Sequence, residues 1–212
     1  MKQWHKIWFQ DVCQHNQVID NFLSLIPYQL ENSAKKSPTD FIRNSKLPVS
    51  KLITFILSIV SSGKGKGVEC KSTDFFRSAK RSCLWPEASA VHRSTVTKAR
   101  SKIDWKVFQE IFRKAVELAY DLWPENADDF LWNGMSVYAI DGSKYDLPAT
   151  KEMRDEFDPR SGLEYSGRGH FPQCLVTTVF DVFRRIPVAR SVASINASER
   201  EEFKGLLPQI PI

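Results

Sequence analysis

A carboxylate that ligates a metal beside a phosphodiester has to sit on rigid backbone, because Mg²⁺ demands near-octahedral oxygen geometry and a loose ligand costs affinity. Asp141 fits that requirement: it closes the apolar run at the start of SVYAIDGSKYDLP, with the small residues Gly142 and Ser143 directly after it. The competing reading is a simple turn, since Asp-Gly is a common turn dipeptide. Asp146, in what reads as a departing loop, and Asp181, inside an apolar strand where it would mark a bend into a 183–186 hairpin, are the rival carboxylates. A second set of residues is cationic and hydroxylic. Residues 91–103 (VHRSTVTKARSKI) carry Arg93, Ser94, Thr95, Thr97, Lys98, Arg100 and Lys102, side chains that grip DNA phosphates, with the lysines suited to phosphate rather than base contacts. The same pattern is also what the solvated face of any helical domain presents. Arg168 and His170, in a long polar stretch, could approach DNA or serve only as loop surface.

Other chemistries lack their residues. Cys13, Cys70, Cys83 and Cys174 form no CxxC pair, and His5, His15, His92 and His170 form no i, i+4 pair, so no zinc site is expected and the thiols read as reduced core filler. The GKGKG of residues 63–67 lacks GxxxxGK[ST] spacing and a preceding apolar strand, so it reads as a loop and not a phosphate cradle.

The elements that must position these residues follow from periodicity. Ile19, Phe22, Leu23 and Ile26 predict a short helix that Pro27 interrupts. A helix is predicted from Pro48 or Ser50 through Leu52, Phe55, Ile56, Ile59 and Val60, ending at the glycine-rich loop, and another over 73–80. After a turn at 83–90, a basic helix starts near Ser94 or Thr95 with Val96, Ala99 and Ile103 inward; Asp104 then caps a helix that runs to Trp123. Helix, turn and basic helix over 73–103 resemble a helix-turn-helix, whose second helix can enter a major groove. From Phe130 onward the pattern is β: a strand at 136–140, a polar excursion at 149–172, strands at 173–183 and 184–193, then a helix at 197–207 with Ser198 and Glu201 as a capping box.

Charge divides along the chain. Residues 1–120 hold 20 Lys+Arg against 10 Asp+Glu, and residues 121–212 hold 10 against 15, so a net charge of +10 is followed by one of −5. A polyanion-binding region beside a carboxylate-rich one suits a metal-dependent nuclease, although chance asymmetry of a solvated surface would look the same. With 42% hydrophobic and 12% aromatic residues the chain can bury a real core. Its longest apolar stretch, 52–60, is too short to span a bilayer, and its N-terminus lacks a signal peptide's apolar segment, so a cytoplasmic, nucleoid-associated protein is expected.

Three runs in order, 138–148 (YAIDGSKYDLP), 171–182 (FPQCLVTTVFDV) and 196–210 (NASEREEFKGLLPQI), resemble the catalytic domain of bacterial insertion-sequence DDE transposases, the group with a YREK signature. Upstream, 39–60 and 91–112 resemble the same group's N-terminal DNA-binding region, so the likeness covers most of 39–212. It implies an α+β or α/β chain: a helical DNA-binding region over 1–128, then at 129–212 the first three strands and first helix of an RNase H-like domain. It also implies that Asp141 is the first of three carboxylates holding two Mg²⁺ or Mn²⁺ ions, one to activate a nucleophile and one to stabilise the leaving oxygen. The second Asp and the Glu have no match here, so the resemblance implies a shortened form that is inactive alone and holds no metal stably. Its partners would be double-stranded transposon-end DNA and other transposase subunits, with no membrane.

Two functions from different classes therefore stand: a transposase in shortened form, or a non-catalytic DNA-binding fragment that inhibits transposition. An unstable relic, with an unpaired strand edge, is the third reading.

Overall fold

Pro48 cannot continue a ladder on its nitrogen, but its carbonyl accepts from Leu52 N at 3.0 Å and opens the first helix among the described residues, α1 (Val49–Ser61). Leu52, Ile53 and Phe55 are each fully buried along it. The computed structural model describes residues 30, 33–42, 46–61, 67–81, 85–87, 89–122, 128–159 and 171–211. The helix expected around Ile19 to Ile26, the loop residues 62–66, and Arg168 and His170 lie outside them.

The chain forms two compact units, Met1–Ala115 and Val116–Ile212. In the first, α2 (Val68–Arg81) begins five residues before its expected start, and α3 (Arg93–Arg100) and α4 (Lys106–Leu122, whose last turns belong to the second unit) follow. Phe55, Phe76, Val96, Val107 and Ile111 join one core with Leu30 and Leu47, and Phe75 bridges Phe55 and Trp85 at ring separations of 5.3 and 5.8 Å. Buried Ser72 reaches across to both backbone groups of Val91, donating to its oxygen at 3.2 Å and accepting from its nitrogen at 3.4 Å. That pair of bonds anchors the chain just before α3. Residues 82–92 lie between α2 and α3, about the span over which the sequence places its turn and longer than the three- or four-residue turn of the usual helix-turn-helix.

The second unit is α+β. An antiparallel meander, β1 (Tyr138–Asp146), β2 (Gln173–Asp181) and β3 (Ile186–Ser194), has the order β1-β2-β3, with Gly142 opposite Thr177 and Thr177 opposite Ser191. A helix absent from the sequence-based expectation, α5 (Lys151–Phe157), occupies the stretch read as a polar excursion; Thr150 caps it, accepting from Met153 N at 3.4 Å. The final helix, α6 (Glu199–Leu206), packs across all three strands. Its expected capping box does not form: Ser198 is the N-cap residue without a side-chain cap bond, and Glu201 instead pairs with Lys204 at 2.8 Å. Asn133 (φ 49°) and Gly134 (φ 77°) make the left-handed corner between Trp132 and Met135.

Candidate nucleic-acid interface and strand carboxylate

Helix α3 owes its start to a residue the sequence reading passed over. His92, and not Ser94 or Thr95, is the N-cap: its Nδ1 accepts from Ser94 N at 3.3 Å and lies 2.8 Å from Ser94 Oγ. Val96 is the buried anchor, 2% exposed, while Arg93, Ser94, Thr95, Thr97, Lys98, Arg100 and Lys102 are all exposed. The structure thus gathers all seven on and just beyond one short helix. They are not equally available. Thr97 Oγ1 donates back to the Arg93 carbonyl at 3.1 Å, Ser94 is held by His92, and Lys102 Nζ lies 3.6 Å from Asp40 Oδ1. Arg93, Lys98 and Arg100 form no ion pair among the described residues, so their charge faces water.

Lys102 is held in place through the backbone on both sides. Lys36 N donates to Lys102 O at 3.0 Å and Asp104 N to Ala34 O at 2.9 Å, which lays the segment from Ala34 alongside the end of α3. Asp104 also caps α4 as expected, its Oδ1 accepting from Lys106 N at 3.0 Å.

Asp141 lies neither at a strand end nor in a turn. It is the fourth residue of a nine-residue strand, paired across to Thr178, and Gly142 and Ser143 continue the strand. Its side chain is exposed, and Oδ2 accepts from Ser143 Oγ at 3.1 Å. Gly142 points the other way, where the Glu199 carboxyl of α6 occupies the space a Cβ would need. Asp141 is therefore on the sheet face opposite α6. Thr178 shares that face and accepts from Arg190 Nε at 3.2 Å, so Asp141, Thr178 and Arg190 form one cross-strand row.

The rival carboxylates have other duties. Asp146 is the last residue of β1, and not in a loop; it accepts from Gln173 Nε2 at 2.8 Å. Asp181 is 1% exposed. Its Oδ1 accepts from the backbone nitrogens of Phe183 and Arg184 at 3.1 and 2.8 Å, and its Oδ2 accepts from Tyr120 Oη at 2.6 Å and Arg184 Nη1 at 3.1 Å. The Arg184 guanidinium lies 4.5 Å from the Tyr120 ring centre and 5.4 Å from that of Phe130. Tyr138 adds a bond to the Pro211 carbonyl at 2.6 Å. Burial, and then the bond to Asp181, push the Tyr120 phenol far above its ordinary range. Sequence reasoning missed this network; its signal was Asp181 three residues before Arg184 across a tight turn.

As for the metal the resemblance implies, no three His, Cys, Asp or Glu side chains come together among the described residues. Asp141 offers one carboxylate, already accepting from Ser143, which does not fit a two-metal centre. Of the two cysteines described, Cys174 is buried, and burial pushes its thiol up, while Cys70 is exposed and is not core filler. No helix among the described residues is long and apolar enough to cross a membrane. Comparison with protein-family models, curated proteins and solved structures gives no match to the chain.

Proposed function

We propose that this chain is a transposase of the insertion-sequence DDE class, which binds transposon-end DNA through residues 93–102 and carries in Asp141 the first carboxylate of an RNase H-like catalytic domain for phosphodiester cleavage and strand transfer. The observation that carries the reading is the exposed cationic and hydroxylic surface of α3, six side chains of the right chemistry on a helix that one buried valine anchors, with Lys102 just beyond its end. Asp141 supports it further, as an exposed carboxylate in the middle of the first strand of a meander that a helix then crosses.

A second reading is a DNA-binding protein that does no chemistry itself and inhibits transposition by occupying the ends or pairing with other transposase subunits. The absence, among the described residues, of further carboxylates gathered with Asp141 favours it. Strand cleavage of end-bearing duplex DNA with Mg²⁺ or Mn²⁺ decides between them. Binding without cleavage, the outcome expected for the chain by itself, favours the second reading, and Asp141→Ala should then bind equally well. Cleavage that Asp141→Ala abolishes would place the reaction in this chain and remove the second reading; failure to bind DNA would refute both.

A further inference from the structure

A cleft of about 370 Å³ opens in the first unit, with Phe41, Ile42 and Leu47 on one side and Thr95, Lys98 and Lys102 on the other. It lies within the size range of small-ligand sites, roughly 300–1,000 Å³. Its two sides differ in chemistry. One is apolar and partly bare, with Ile42 70% exposed beside a half-buried Phe41; the other ends in two ammonium groups and a threonine hydroxyl. Phe41 holds φ at 58°, a left-handed conformation uncommon for a residue with a side chain, at the corner that turns the chain toward Ile42. The position of Lys102 is set by Asp40, whose other oxygen accepts from Ser37 N at 3.2 Å.

We propose that this cleft takes one unpaired nucleotide of a DNA strand, its phosphate on Lys98 and Lys102 and its sugar and base against Phe41 and Ile42. The inference rests on the DNA-binding reading above and adds to it a preference for DNA with an unstacked end. Lysines on a convex helix would serve for duplex phosphates alone. A concave site with an aromatic and an aliphatic wall beside those lysines fits the combination by which single strands are held, a charged track for the backbone with an apolar surface for the base. A base inside a duplex is stacked on its neighbours and cannot reach such a wall. Asp40 competes with the phosphate for Lys102, so its charge weakens binding in the cleft while it positions the lysine.

The test compares blunt duplex DNA with the same duplex bearing a short single-stranded extension, and with an extension of abasic residues. The intact chain is expected to bind the extended duplex roughly fivefold or more tightly than the blunt one, and the abasic extension should lose most of that gain. Ile42→Asp, at a side chain that packs little, should abolish the gain of the extended duplex over the blunt one. Lys98→Glu should weaken all three DNAs, and Asp40→Asn should strengthen binding of the extended one. Equal affinity for blunt and extended DNA, or a gain that survives Ile42→Asp, overturns the cleft assignment while the DNA-binding reading stands. Absence of binding to every DNA overturns both.

Discussion

At the scale of single residues, two aspartates forty positions apart have opposite fates. Asp181 has both oxygens filled by protein donors, and removing its charge takes from the buried Arg184 guanidinium the carboxylate that balances it. Asp181→Asn is therefore expected to destabilise the chain by about 3–5 kcal/mol, read from the denaturant midpoint, whereas Asp146→Asn, at an exposed site, should stay within about 0.5 kcal/mol. The Tyr120 phenol, raised in the fold, gives the same network a pH signature. The unfolded chain releases that proton near the ordinary value of about 10 and the folded chain does not, so this contribution to stability is whole below pH ~10 and falls away above it. Tyr120→Phe should flatten that alkaline slope; an unchanged slope would show that the phenol is not what titrates. Asp141 was legible as an exposed, rigidly held carboxylate. Its place in mid-strand was not, because Asp-Gly-Ser reads locally as a turn and only the pairing of Gly142 with Thr177 across the sheet keeps it extended.

At the scale of elements, the apolar spacing of Leu52, Phe55 and Ile56 and of Val107 and Ile111 was enough to find α1 and α4, and the β-rich runs were enough to find β2 and β3. What escaped was set by contacts distant in sequence. The helix α5 is short, and its Phe157 carbonyl is bound by Ile195 N at 3.0 Å, a partner no local pattern reveals. Likewise the bonds that tie Val91 to Ser72 just before α3 join residues 19 apart in sequence. The contact of Glu199 with Gly142 makes a direct prediction for β1 and α6. Gly142→Ala should gain the usual strand benefit over glycine, about 0.5–1 kcal/mol, only when Glu199→Ala has cleared the space. Thermal melts of the two single variants and the double variant form the cycle, and strict additivity would mean the carboxyl does not rest on the glycine.

At the scale of the whole molecule, the first 120 residues are basic and the remainder acidic, a division of charge that was legible from the sequence alone and that the proposed function would use to hold DNA. The distribution within the basic part was not: only the fold shows that Lys102 is shared with Asp40 while Lys98 and Arg100 face solvent. The central claim is that this surface holds DNA through its phosphates, and the most direct measurement is the affinity of the chain for duplex DNA across a salt series. The account predicts that log K falls linearly with log salt, and that Lys98→Ala and Arg100→Ala each reduce the slope by about 0.9, the loss of one phosphate contact. Binding that is absent, indifferent to salt, or unchanged in slope when both cations are removed would contradict it.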